Sequence, residues 1–198
     1  MNTWLLHRRA KPCLLVLLCL PLVWLVWAAV SDRLGANPAE ALIRSTGDWT
    51  LRCLCITLAI SPLREFFKWS ALARFRRMVG VSTFAYGLLH MLAYSWLDMG
   101  LEPADIAADI VKRPFILVGF TALLLLTALA ATSFNAVIKA MGAQRWKALH
   151  RAVYAIALLA VLHFFWMKAG KNDFAEVALY AAILGALLGW RIRRFYAK

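Results

Sequence analysis

Three of the four histidines in this chain, His90, His150 and His163, fall in or beside long apolar runs. A titratable side chain in such a run needs a reason to be there. A neutral imidazole binds a transition metal through one ring nitrogen, and two imidazoles at one level can bind both faces of a haem iron. His90 lies 13 residues beyond Arg77, a helical rise of roughly 20 Å, and His163 lies 12 beyond Arg151, roughly 18 Å. On two helices running the same way, these rings reach one depth. Tyr86 and Tyr94 stand four residues either side of His90 and share its helical face. Gly87 and Gly80 offer a flat patch where a macrocycle could approach, or equally a surface for close helix packing.

A second level lies nearer the basic ends of these runs. His150 stands beside Lys147 and Arg151, while Arg74, Arg76, Arg77 and Met78 open the run that holds His90. Arg76 precedes His90 by 14 residues, about 40° away around an ideal helix. A guanidinium keeps its proton and makes a poor iron ligand, but it suits a haem propionate or a phosphate. Met78 is a reasonable axial ligand at a worse helical angle. Three arrangements stay open here: a second haem with an unusual sixth ligand, a five-coordinate haem, or no second haem. His150 and His163 are 13 residues apart, about 220° on an ideal helix. They share a side only if the helix bends; otherwise each faces its own neighbour.

The elements that must position these residues can be read from composition. Of 198 residues, 63% are hydrophobic, well above the roughly 45–50% of a soluble domain. Apolar runs at 12–30, 49–67, 78–98, 114–134, 148–168 and 174–190 predict six membrane spans. At about 20 residues each they leave no room for an extramembrane catalytic domain. The first run is long, rich in Trp and Leu, and has no small-x-small cleavage site, so it is expected as a retained span rather than a signal peptide. No internal repeat marks two related halves. The fold expected is therefore all-α: an integral membrane bundle of six transmembrane helices forming a single domain over 1–198.

The net charge of +13 then resolves by side. With the N-terminus in the cytoplasm, sixteen of the 23 bases, at 8–11, 64–77, 139–151 and 191–198, fall on the cytoplasmic side with Glu65 as their one acid. The other side holds Arg33, Arg44, Arg52, Lys112, Arg113, Lys168 and Lys171 with nine acids. This is the positive-inside pattern; it places both termini in the cytoplasm and removes the case for nucleic-acid binding. The basic side could meet anionic lipid or an acidic donor, and the acidic stretch from Asp98 to Asp109 could meet a partner on the far side.

Other candidates are weaker. Cys53 and Cys55 point about 200° apart on a helix and are expected in the core. The nine tryptophans lie mostly near span ends, as an aromatic belt does. Pro62 is expected to kink or end the second span, and Arg52 to snorkel outward. Nothing resembles a nucleophilic triad, a phosphate-cradling glycine loop or a dinucleotide fingerprint.

Several strings carry a resemblance. They are Arg74-Phe-Arg-Arg-Met-Val-Gly80, Tyr86-Gly-Leu-Leu-His-Met-Leu-Ala-Tyr94, Gln144-Arg-Trp-Lys-Ala-Leu-His-Arg-Ala-Val-Tyr154 and His163-Phe-Phe-Trp166. Trp24-Leu-Val-Trp27, Leu34-Gly-Ala-Asn-Pro38 and Ile60-Ser-Pro-Leu63 add to them. With six short-looped spans, the chain resembles the ferric-reductase-like transmembrane domain. Within it, the chain resembles the MsrQ (YedZ) family of haem-binding membrane subunits of protein-methionine-sulfoxide reductase systems. The resemblance implies an electron-transfer subunit of the bacterial inner membrane carrying one or two b-type haems. Electrons would come from the quinone pool or a cytosolic flavin reductase and pass to a periplasmic molybdopterin subunit that reduces methionine sulfoxide in oxidised proteins. It implies His90, His150 and His163 as haem ligands and Arg76 and Arg77 as a basic pair opposite His150. It adds flavin mononucleotide as a cofactor without placing it on residues. Unlike the larger ferric reductases, the chain lacks a second histidine in span three and any cytosolic flavin and nicotinamide region, so the donor would be a separate protein or a quinol. The competing expectation is a haem-free polytopic membrane protein, a small transporter or assembly scaffold, with its histidines bonded inside the bundle.

Overall fold

Runs rich in Leu, Ala and Val with few helix breakers fold as helices along the whole chain, and no strand occurs among the described residues. The computed structural model describes residues 3–170 and 172–197. Lys171 and Lys198, counted in the charge pattern, lie outside them. The chain divides into two compact units, Met1–Glu102 and Pro103–Lys198.

The first unit contains a short turn of helix, α1 (Thr3–Leu6), then α2 (Ala10–Val30), α3 (Pro38–Phe66), a 3-10 helix at Ser70–Phe75 and α4 (Arg76–Leu97). α3 begins well before the apolar run expected from residue 49, because its start is set by capping rather than by hydropathy. Asn37 accepts from the Glu40 N–H at 3.1 Å, its amide reaches the Glu40 carboxylate at 3.3 Å, and Pro38 fills the first helical position. At the other end α3 runs one turn past Pro62 to Phe66, so that proline does not terminate it.

Polar side chains inside these helices satisfy themselves locally. Thr46, Thr57 and Thr83 each donate to the carbonyl four residues back, and Thr57 and Thr83 meet across α3 and α4 at 3.4 Å. The core of the unit joins Leu18 of α2, Cys53 and Ile60 of α3, and Val79 and Tyr86 of α4, with Trp49, Met78 and Leu89 packed against it. Tyr86 donates its O–H to the Leu18 carbonyl at 2.7 Å and stacks on Trp49.

The second unit contains α5 (Pro103–Lys112), α6 (Pro114–Ala131), α7 (Asn135–Met141), α8 (Ala143–His150), α9 (Ala152–Ala169) and α10 (Ala175–Tyr196). Gly142, at φ +77, supplies the left-handed backbone that separates α7 from α8. The fifth run is two helices rather than one. At their junction Arg151 bonds back to Ala148 and Tyr154 back to Arg151, three residues each, which tightens the turn. Lys168, at the end of α9, is clasped by Asp173 at 2.6 Å and Glu176 at 3.1 Å, so the turn into α10 is held by ion pairs.

Among the described residues, four stretches are long and apolar enough to cross a membrane by length and composition: Ala10–Val30, Pro114–Ala131, Ala143–Ala169 and Ala175–Tyr196. α3 and α4 are helices over the second and third expected spans, but they are more polar. α3 carries Glu40, Arg44, Asp48 and Arg52, and α4 opens on Arg76 and Arg77. Arg52 does not simply reach outward: its guanidinium lies over the Trp49 ring at 4.9 Å.

Removing the Tyr86 hydroxyl should loosen α2 from α4. Tyr86→Phe is expected to cost about 1 kcal/mol of unfolding free energy in detergent, whereas Ile56→Ala, at an exposed site of α3, should cost little. Equal losses from the two variants would rule out this role for the hydroxyl.

Candidate functional site

The histidines are positioned by the backbone of the helix packed against their own. In the first unit α4 lies along α3, and His90 Nδ1 is 2.8 Å from the Ile43 carbonyl oxygen of α3. A carbonyl oxygen only accepts, so Nδ1 carries the ring proton and donates it, and the ring lone pair sits on Nε2. Four residues along α3 is Gly47, and the imidazole lies against it. A methyl group at Gly47 would stand 3.1 Å from His90 Cε1 and 3.2 Å from Nδ1.

The second unit repeats this arrangement with different helices. His163 of α9 donates from Nδ1 to the Phe115 carbonyl of α6 at 2.7 Å. Again a glycine follows four residues later: a methyl group at Gly119 would stand 2.8 Å from His163 Nδ1 and 2.9 Å from Cε1. The Phe115 ring tilts against the imidazole with centroids 6.1 Å apart. Each pair therefore presents an oriented imidazole whose neutral form has its lone pair on Nε2, which is the form a metal accepts.

His150 is held differently. Its Nδ1 donates to the Trp146 carbonyl of its own helix at 3.1 Å, and its ring stacks on the Trp146 indole with centroids 3.9 Å apart. The indole N–H in turn bonds the Thr132 carbonyl at the end of α6 at 2.9 Å, clipping α8 to that end. The bond gives His150 the same tautomer but without a glycine seat. His150 and His163 thus have different partners, Trp146 and Phe115, as the helical arithmetic allowed.

The remaining candidates separate clearly. Arg76 and Arg77 are exposed at the first turn of α4, where no helix-dipole argument favours a cation. Met78 packs on the core cluster. Cys53 is fully buried in that cluster, and Cys13, Cys19, Cys53 and Cys55 are all free thiols. A methyl at Gly80 would meet Thr57 only at an ordinary 3.8 Å. Gly87 is buried within α4. Among the described residues no group of three or more His, Cys, Asp or Glu side chains could hold a bare metal ion. A macrocycle brings four nitrogens of its own and needs only axial imidazoles, so the donors present fit a haem better than a naked ion.

Sequence reasoning missed Gly47, Gly119 and Trp146. Trp146 was visible as an aromatic four residues before His150. Gly47 and Gly119 were visible only as isolated glycines in helical stretches, a pattern that marks close approach without naming what approaches.

The family described as ferric reductase like transmembrane component matches residues 46–161. The chain is 64% identical, over 98% of its length and 89% of the relative's, to the protein-methionine-sulfoxide reductase heme-binding subunit MsrQ of Polaromonas naphthalenivorans. It is 51% identical to the protein of that name from Bordetella pertussis, over 96% of this chain and 92% of that one. For the Ralstonia nicotianae protein the identity is 50%, over 93% and 85%. No solved structure matches.

The tautomers are directly measurable. Nitrogen-15 shifts of the His90 and His163 rings should report a protonated Nδ1 and an unprotonated Nε2. The opposite assignment at either ring would exclude its carbonyl bond.

Proposed function

The chain belongs to the ferric reductase like transmembrane family and, within it, to the MsrQ heme-binding subunits, and from that premise we propose that it holds haem within a membrane and passes electrons as an electron-transfer subunit. The observation that carries the proposal is the pair of oriented imidazoles, His90 on Ile43 and His163 on Phe115, each with its lone pair on Nε2. His90 and His163 would hold the haem iron through Nε2. His150, stacked on Trp146, is the third ligand histidine. Arg76 and Arg77, exposed at the start of α4, meet anionic groups such as haem propionates. The haem is b-type on the family reading, and the cysteines at 13, 19, 53 and 55 form no C-x-x-C-H string of the kind covalent attachment uses.

α3 and α4 complete a six-span bundle with both termini in the cytoplasm, in the bacterial inner membrane. The whole of 1–198 works as one haem-binding domain, a reading supported by a family match that runs from 46 to 161 through both units. Quinol or a cytosolic flavin reductase supplies electrons. The acceptor is a periplasmic molybdopterin-containing methionine sulfoxide reductase subunit that repairs oxidised proteins. The haem count is one or two, and flavin mononucleotide is a further cofactor with no residues assigned.

When bound, haem supplies reversible one-electron storage, its potential set by axial ligand and surroundings. The chain's own residues do the rest. The backbone carbonyls of Ile43 and Phe115 hold the Nδ1 protons and raise the donor strength of Nε2. Apolar helices such as α6 and α9 exclude water. The basic cytoplasmic side docks an acidic donor or anionic lipid, and the acidic residues of α5, Asp105 and Asp109, face the partner.

Purified protein should show a Soret band and, after dithionite, a sharp reduced α-band; a pyridine haemochrome assay then counts one or two haems per chain. His90→Ala and His163→Ala should each lower haem retention about tenfold or more. A purified chain with no Soret band would end the haem reading in favour of a haem-free polytopic protein.

A further inference from the structure

The structure assigns Gly47 and Gly119 as positioning residues that set the tilt of the His90 and His163 rings, an assignment resting on the proposal that these rings ligate haem. Neither glycine is explained by backbone conformation: both lie inside helices, α3 and α6, and neither has positive φ. Gly at such a position costs about 1 kcal/mol relative to Ala. What each glycine adjoins is an imidazole. A methyl at Gly47 would have His90 Cε1 at 3.1 Å, Nδ1 at 3.2 Å and Nε2 at 3.7 Å. At Gly119 the figures are tighter, with His163 Nδ1 at 2.8 Å, Cε1 at 2.9 Å and Cγ at 3.2 Å. By contrast Gly185 and Gly189, in α10, have open space where a methyl would go.

Three fixed points then define each ring. Its Cβ is tied to its own helix, its Nδ1 to a carbonyl of the partner helix, and its flank to a glycine one turn along that same partner. The carbonyl alone allows the ring to swing about the Nδ1–oxygen line; the glycine surface removes that freedom. The direction of the Nε2 lone pair follows from both. An imidazole pushed off its seat would bind iron tilted, as a weaker donor, which favours the ferrous form and raises the midpoint potential.

The two seats are unequal. At Gly47 the ring must yield a few tenths of an ångström to accept a methyl, while at Gly119 the overlap is deeper and the ring is held at 2.7 Å by Phe115. Gly119→Ala should therefore perturb ligation more than Gly47→Ala.

The test uses the full-length chain in detergent, with Gly47→Ala, Gly119→Ala and the control pair Gly185→Ala and Gly189→Ala. Readouts are the low-spin EPR g values, the reduced α-band and the midpoint potential, all compared at equal haem content. Gly119→Ala is expected to shift the largest g value and raise the potential of a haem, Gly47→Ala to do so by less, and the controls to leave both unchanged. If Gly119→Ala does not accumulate, the smaller shift in Gly47→Ala decides. Wild-type spectra in both glycine variants would overturn the seat while leaving the haem reading intact. Shifts as large in the controls would also overturn it. A wild-type chain without haem would overturn both.

Discussion

An imidazole packed between two helices has to give its N–H to an acceptor, and that requirement organises both units. An N–H shielded from water and left unsatisfied costs about 1–3 kcal/mol. Helix carbonyls are already engaged four residues on, yet an oxygen has two lone pairs and can accept a second donor. Ile43 and Phe115 do this for His90 and His163 at 2.8 and 2.7 Å. The consequence reaches beyond satisfaction. By taking the proton at Nδ1 the carbonyl decides where the lone pair goes, so a requirement of burial becomes a preparation for ligation.

The same requirement constrains the helices. For a side chain of α4 to reach the backbone of α3, the two must approach closely, and small or self-satisfied residues line that approach: Gly47, Thr57, Gly80 and Thr83. In the second unit α6 and α9 meet in the same manner around Gly119, although α7 and α8 intervene in the chain. The connecting helices have their own anchors, with Gly142 breaking α7 from α8 and Trp146 fastening α8 to the Thr132 carbonyl. Ion pairs help secure the helix ends: Lys168 with Asp173 and Glu176, Arg113 with Asp109, Arg44 with Glu40.

What the sequence made legible follows from what side-chain identity can encode. The three histidines and the apolar runs are properties of residue type, and helices lie over all six runs. The start of α3 was misjudged because hydropathy ignores capping, although Asn37, Pro38 and Glu40 spelled it out. The division of the fifth run at Arg151 was foreseeable only as one of two ways to reconcile His150 with His163. The glycines first considered as a cofactor patch, Gly80 and Gly87, lie on the same helix as His90, whereas the glycines that touch the rings lie on the opposing helices. That miss is physical. The acceptors are backbone carbonyls, which every residue possesses, so no letter in the sequence marks Ile43 or Phe115.

Two copies of one device need not give two equal sites. Both rings are tied to a carbonyl and laid against a glycine, but His163 is closer to its glycine and to its carbonyl than His90 is. A ring held on two sides has fewer ways to relax when the charge of a bound metal changes, while a looser ring can follow it. For the proposed function that difference matters, because a firmly held ring and a looser one would answer a change in the charge of a bound iron unequally. Both side chains being imidazoles, the backbone and its glycines are the means this chain has for making them differ. The device is repeated, and its tolerances are where the asymmetry enters.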